Sequence, residues 1–219
     1  MVKSFISPSI LSSDFSRLYE ECVICLQKTK YIHLDVMDNH FVPNLTFGTP
    51  VIKCLKKQLS KQSLPFFLDA HLMVTNPESI IPSLANNVDS VTFHCETTSD
   101  ISEMIRLCKK HGLRASMAIK PPTPLTEELI DICTELDSVL IMTVHPGFGG
   151  QSMIVECLEK VKVLRKRYPA LDIQVDGGVN LNTIALAAKA GANNFVAGSA
   201  VFNHEKGVHH ALDELSKLF

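Results

Sequence analysis

No excess of charge of either sign marks this chain of 219 residues: 21 lysines and arginines face 23 aspartates and glutamates, a formal net charge of −2 at pH 7. Such a balance leaves no electrostatic footprint for a phosphodiester backbone or an anionic membrane as main partner. There is also no run of the ~18 to 20 apolar residues that a membrane span needs. The opening Met1-Val2-Lys3-Ser4-Phe5 has neither the apolar stretch nor the cleavage site of a secretory signal, so a cytoplasmic location is expected. Ser216-Lys217-Leu218 looks like a peroxisomal address, but Phe219 follows it. Ser/Gly-rich linkers and low-complexity tracts are missing, which implies one domain over 1–219. No Gly-Lys-Ser/Thr closes a nucleotide P-loop, and no complete dinucleotide fingerprint opens the chain. A second Cys-x-x-Cys is lacking too. Cys22 and Cys25 share an apolar stripe with Phe15 and Leu18, a core pattern rather than a redox or zinc pair. With Cys54, Cys95, Cys108, Cys133 and Cys157 they read as reduced, buried thiols.

What is present is a steady alternation. Hydrophobic residues make up 46% and charged residues 20%, the balance of a folded globular chain. Strand-like runs lie near Ser4–Ile10, Tyr31–Val36, Pro65–His71, Ser90–His94, Arg114–Ile119, Val139–Val144, Asp172–Val175 and Asn194–Ala197. Amphipathic stretches separate them. Ile154, Cys157, Leu158, Val161 and Leu164 form one apolar face, and Val208, Leu212, Leu215 and Phe219 another. Eight strand-helix units in this length fit a compact α/β fold, the (β/α)8 TIM barrel, better than an open doubly wound sheet. Chemistry in such a barrel sits at the carboxyl ends of the strands. Those ends are unusual here: Ser7-Pro8-Ser9, Asp35 to Asp38, Asp69 to His71, His94 to Glu96, Lys120, His145-Pro146-Gly147, Asp176-Gly177-Gly178 and Gly198-Ser199. Polar and glycine residues are thus expected on one face of an otherwise apolar barrel.

Three constellations stand out. Strand alternation puts His33, Asp35 and Met37 on one side of Ile32-His33-Leu34-Asp35-Val36-Met37. With His71 and Asp176 they offer two imidazoles and two carboxylates, a ligand set for a divalent metal of the zinc or iron(II) kind. The plainer reading is a buried His/Asp hydrogen-bond network. Gly147-Phe148-Gly149-Gly150, Gly177-Gly178 and Gly198-Ser199 follow three successive strands, where backbone N–H groups can approach the phosphate of a small ester. Glycine turns alone are the alternative. Met37, Met73 and Met142 fall at or near strand ends, as a polarizable collar or as core packing.

Taken in order, these segments resemble the ribulose-phosphate 3-epimerase family of the ribulose-phosphate-binding barrel group. The resemblance runs through Ser7-Pro8-Ser9-Ile10-Leu11, His33-Leu34-Asp35-Val36-Met37-Asp38, His40-Phe41-Val42-Pro43-Asn44, His71-Leu72-Met73-Val74, Met142-Thr143-Val144, Pro146-Gly147-Phe148-Gly149-Gly150-Gln151, Val175-Asp176-Gly177-Gly178-Val179 and Ala197-Gly198-Ser199-Ala200. It implies a metal-dependent epimerase that interconverts D-ribulose 5-phosphate and D-xylulose 5-phosphate at C3 through a metal-stabilised enediolate. It further implies metal ligation by His33, Asp35, His71 and Asp176, with Asp35 and Asp176 as the acid/base pair. Substrate contact falls to Ser9, His71, Gly147, Phe148, Gly149, Gly150, Asp176, Gly177, Gly178, Gly198 and Ser199, and Met37, Met73 and Met142 become an intermediate-capping collar. One zinc or iron(II) per subunit is implied, with cobalt(II) and manganese(II) as alternatives, in a homo-oligomer of two or more copies.

Two positions depart from the family pattern. Asn39 stands where glycine is usual, and asparagine tolerates a left-handed turn. His145 replaces the residue that commonly precedes Pro-Gly-Phe-Gly-Gly, next to the expected phosphate loop. The rival activities are an epimerase of a six-carbon ketose phosphate such as allulose 6-phosphate, a phosphosugar lyase and a non-catalytic phosphosugar-binding barrel. Lys120 is the candidate for a Schiff-base lyase, and Asp69-Ala70-His71 puts an imidazole where related decarboxylases carry a lysine.

Overall fold

The computed structural model describes residues 2–219, so Met1 of the expected domain 1–219 lies outside the described residues. Eight strands alternate with helices: β1 (Phe5–Pro8), β2 (Tyr31–Met37), β3 (Phe67–Met73), β4 (Ser90–His94), β5 (Arg114–Ile119), β6 (Ser138–Met142), β7 (Asp172–Asp176) and β8 (Asn194–Ala197). All pair in parallel, in the order β1-β8-β7-β6-β5-β4-β3-β2. A single parallel bridge from Ser9 to His33 draws β1 to β2 and shuts the ring. The expected (β/α)8 barrel forms, and it is one domain. Around it lie α1 (Leu18–Leu26), α2 (Thr49–Leu59), α3 (Ile81–Leu84), α4 (Ile101–Lys110), α5 (Glu127–Asp131), α6 (Leu158–Arg167), α7 (Ile184–Ala190), α8 (Ser199–Phe202) and α9 (Val208–Ser216).

Local chemistry fixes the helix ends. Asp100 accepts the Glu103 N–H at 2.9 Å to start α4, and Thr126 accepts the Leu129 N–H at 3.3 Å to start α5. Pro50 sits in the first turn of α2, where its missing N–H has no cost. α7 stops at Gly191, whose φ of +113° suits a residue without a Cβ. β1 is shorter than expected because the Ser9 side chain accepts the Leu11 N–H at 3.3 Å and turns Ile10–Ser12 into a short 3-10 helix.

Parity along the strands divides the molecule. Ile32, Leu34 and Val36 of β2, with Leu68, Leu72, Phe93 and Ile141, are buried between sheet and helices and form the main core. The opposite parity points inward. There the expectation of an otherwise apolar barrel is corrected: Ser7, His33, Asp69, Thr92, Ser116 and Gln174 are all buried. Most of them are satisfied by hydrogen bonds: Ser7 donates to Asn194 Oδ1 at 2.8 Å, while Thr92 and Gln174 donate to Asp69 at 3.0 and 3.1 Å; the Ser116 hydroxyl is buried without a partner among the described residues. The cysteine reading needs one correction as well. Six thiols are buried, but Cys54 is exposed, because α2 turns Ile52, Leu55 and Leu59 inward and leaves position 54 outside. Burial pushes the Cys22 thiol up to about 12, so it is a packing group and no thiolate.

Candidate active site

The inward parity of β2 delivers His33 and Asp35 to the barrel axis, and the β2–β3 register sets Asp35 directly beside His71. Asp176 ends β7. His33 Nε2 lies 3.3 Å from His71 Nδ1, 3.5 Å from Asp35 Oδ1 and 3.9 Å from Asp176 Oδ2. His71 Nδ1 lies 3.2 Å from Asp35 Oδ1 and 3.7 Å from Asp176 Oδ2. One ligand atom from each of the four residues lies within 4.8 Å of all the others. The four expected metal ligands therefore converge on one point.

Their chemistry fits a divalent cation. Unprotonated imidazole nitrogens and carboxylate oxygens are all lone-pair donors, and such a set, buried and facing itself, is balanced by positive charge. His33 is prepared for it: Nδ1 lies 3.0 Å from Asp69 Oδ2, so a proton held there leaves Nε2 bare toward the cluster. Among the side chains themselves, burial alone would raise the Asp35 carboxyl, yet His33 and His71 hold it well below the usual carboxylate range. Burial, and then the Asp35 charge, pushes Asp176 up to about 6. Burial works against the charged form of His33, but Asp35 and Asp69 carry it well above the ordinary histidine value. The two carboxyl groups thus differ in their hold on a proton.

Asp35 and Asp176 also line a cavity of about 330 Å³ at the carboxyl-terminal mouth. Every residue expected to touch substrate lines it except His71, which is fully buried behind the carboxylates. Met37, Met73 and Met142 line it too and end β2, β3 and β6. Close approach explains two of the glycines: a Cβ on Gly177 would stand 2.5 Å from Val144 Cγ2, and one on Gly178 would stand 2.3 Å from the Met153 nitrogen. Gly198 precedes α8, whose first N–H groups have no intrahelical partner. Asn39 does adopt the left-handed turn, at φ +60°. His145 is exposed and stands outside the lining, its carbonyl accepting from Gln151 Nε2 at 2.8 Å. Lys120 is outside the lining as well, with Nζ 3.9 Å from the Phe41 ring centroid. A larger hollow of about 590 Å³ opens beside Phe5, Lys28, Tyr31 and Phe219, but it includes none of the four converging residues.

Sequence reading missed the groups behind the cluster. Asp69 accepts from Thr92 and Gln174 and faces His33. His94 Nε2 lies 2.9 Å from His71 Nε2, and His94 Nδ1 lies 3.1 Å from Glu96 Oε2. Burial would raise the Glu96 carboxyl, but its bonds to His94, Thr123 and the Lys120 N–H bring it down to about 2. Asp69 lies two residues before His71, and that inward parity was the available signal.

Comparison with known proteins agrees with this geometry. A model of the ribulose-phosphate 3-epimerase family matches residues 5–202. The chain belongs to the ribulose-phosphate 3-epimerase family. Curated relatives of that name include one from Eremothecium gossypii, 45% identical over 210 residues (92% of this chain, 87% of the relative), and one from Mycobacterium leprae, 44% identical over 202 (90% and 87%). A cytoplasmic isoform from Oryza sativa subsp. japonica is 46% identical over 202 residues (90% and 86%). Among solved structures, orotidine 5'-phosphate decarboxylase from Pyrococcus horikoshii superposes with a TM-score of 0.69 at 16% identity (98% and 99%). A 3-hexulose-6-phosphate synthase superposes with 0.68 at 17% (100% and 98%). At that identity the likeness of the two to this epimerase-family chain is one of fold.

Proposed function

We propose that this chain, as one domain over 1–219, interconverts D-ribulose 5-phosphate and D-xylulose 5-phosphate by moving a proton at C3. One observation carries the reading: in a member of this family, carboxylates from β2 and β7 converge with two histidines and line the cavity that the glycine loops also line. C3 adjoins a ketone, so its proton can leave once charge developing on the neighbouring oxygens is stabilised. His33, Asp35, His71 and Asp176 would hold a divalent ion, which would supply that stabilisation as a Lewis acid. Asp35 takes the proton as general base on one face of the planar enediolate, and Asp176 returns one on the other; the reverse reaction exchanges their roles. Ser9 donates to Asp35 Oδ2 at 2.5 Å and fixes the orientation of that carboxylate. Met37, Met73 and Met142, each at most 3% exposed, keep water from the intermediate. The loops at Gly147 to Gly150, Gly177-Gly178 and Gly198-Ser199 hold the phosphate and so orient C3 between the aspartates. Two imidazoles with two carboxylates suit zinc or iron(II), then cobalt(II) or manganese(II).

The same reading includes a cytoplasmic location, supported by the rice relative's name, and a homo-oligomer of two or more copies. Turnover by metal-replete protein tests the function. Conversion of ribulose 5-phosphate to xylulose 5-phosphate is expected, with slower conversion of allulose 6-phosphate. The opposite preference overturns the substrate, and turnover of neither overturns the activity.

A further inference from the structure

We infer that Glu96 and His94 are positioning residues that fix which nitrogen of His71 carries the proton, and so hold His71 ready as a metal ligand. The inference rests on the four-donor reading of the metal site and deepens it. His71 is useful there only if its proton sits on Nε2, because Nδ1 is the atom that faces Asp35 and Asp176. Nothing in the isolated imidazole ensures that choice.

A chain of hydrogen bonds running away from the site makes it. Glu96 Oε1 accepts the Lys120 N–H at 2.8 Å and the Thr123 hydroxyl at 2.5 Å. Its Oε2 faces His94 Nδ1 at 3.1 Å. A carboxylate has only lone pairs to offer, so the His94 proton must stand on Nδ1 and leave Nε2 as an acceptor. His94 Nε2 lies 2.9 Å from His71 Nε2, so His71 is the donor in that pair, and Nδ1, 3.2 Å from Asp35 Oδ1, needs no proton once a cation stands between them. The ring centroids are 5.0 Å apart and the nitrogens 2.9 Å, a separation that suits an end-on N–H to N bond. His71 and His94 are both fully buried, and Phe41 covers His94 at 4.7 Å between ring centroids, so no solvent competes for these protons. The polarity of the relay is therefore set at Lys120 and Thr123, outside the lining of the substrate cavity.

Changing one atom should reverse it. In Glu96→Gln the amide oxygen is kept at the Oε1 position, since both partners there are donors, and the NH2 group is left facing His94 Nδ1. That turns Nδ1 into an acceptor, sends the His94 proton to Nε2, makes His71 Nε2 an acceptor in turn, and places the His71 proton on Nδ1, where the metal binds. His94→Phe removes the relay outright. His94→Gln preserves its direction, because an amide can donate to Glu96 and accept from His71.

The test has two readouts on the full-length protein. In metal-free protein at about pH 9, where histidine is ordinarily neutral, imidazole 15N chemical shifts should show His94 protonated on Nδ1 in the wild type and on Nε2 in Glu96→Gln; His94 is the reporter because Asp35 Oδ1, 3.2 Å from His71 Nδ1, competes for the His71 proton when no ion is bound. Chelator competition with cobalt(II) should show affinity falling about 10- to 100-fold in Glu96→Gln and His94→Phe, the range expected when an outer partner of a ligand is lost. His94→Gln should stay within about threefold of the wild type. A wild-type His94 proton on Nε2, or wild-type cobalt(II) affinity in both Glu96→Gln and His94→Phe, overturns the inference. A wild type that takes up no cobalt(II) overturns the metal site itself, a separate failure, since the His94 signals of metal-free protein report on the relay alone.

Discussion

Alanine at Gly178 should destabilise the protein far more than alanine at Gly150, although both glycines lie in loops of the same cavity and both have left-handed backbones. Their φ values are +67° and +75°, so a Cβ brings a similar strain of about 1–2 kcal/mol at each. Space separates them. Around Gly150 a Cβ meets nothing within 4 Å, whereas at Gly178 it stands 2.3 Å from Met153 N, 2.8 Å from Met153 Cα and 3.0 Å from Gln151 O. These are backbone atoms, so segment 151–153 must retreat by about 1 Å to reach ordinary contact. That movement strains the Ile154 N–H bond to Thr143 O at 2.7 Å and the Gln151 Nε2 bonds to His145 O and Phe148 O at 2.8 Å. At about 1 kcal/mol for each bond lost, Gly178→Ala should fall about 3 kcal/mol below Gly150→Ala. Equilibrium urea unfolding reads this directly, and a thermal melt should place the two variants about 6–12 °C apart for a domain of this size. Equal stability of the two would refute the claim that close backbone approach, rather than the sign of φ, requires glycine at 178.

Other outcomes follow from the same structure. Arg165 donates to the carbonyls of Gly191, Leu171, Pro169 and Tyr168 and to Asn193 Oδ1, at 2.7 to 3.2 Å; Arg165→Met should cost about 3 kcal/mol in urea unfolding while kcat is unchanged. Burial would raise the Asp38 carboxyl, but N–H groups of Thr75, Phe41 and His40 hold it down at about 2, against 3.8 for the free group. A depressed folded value adds stability above the free-group value and loses it as pH falls through 3.8 toward 2, so the stability gap between wild type and Asp38→Asn should close over that window. Urea midpoints at successive pH values check this, and a gap independent of pH contradicts it. Lys120→Met should keep turnover within about tenfold, and borohydride with substrate should trap no adduct on the wild type, because Nζ lies over Phe41 outside the cavity lining.

The barrel and most of the site were legible in the sequence because both rest on local signals. Alternation in β2 put His33 and Asp35 on one face whatever their neighbours were. Asp176-Gly177-Gly178 and Gly198-Ser199 announced strand ends by residue type alone. What a sequence does not carry is register. The pairing of Asp35 with His71 depends on how β2 slides along β3, and that is settled by barrel closure. Without it Asp69 was only a polar residue near a strand end, and its bonds to Thr92 and Gln174 could not be drawn. His94 and Glu96 were visible as unusual residues after β4, but their role depends on two nitrogens of different strands lying 2.9 Å apart. Cys54 was misplaced for a similar reason. An apolar residue one step from an inward face satisfies a rough stripe and still points to solvent.

The most direct test of the central claim is proton NMR of metal-replete protein with D-ribulose 5-phosphate in D₂O, following the C3 proton and the appearance of D-xylulose 5-phosphate. Two-base proton transfer by Asp35 and Asp176 predicts deuterium at C3 of the xylulose 5-phosphate formed, and loss of turnover in Asp35→Asn and in Asp176→Asn with the fold retained. Xylulose 5-phosphate that keeps the original C3 proton, or full turnover in either variant, would contradict it.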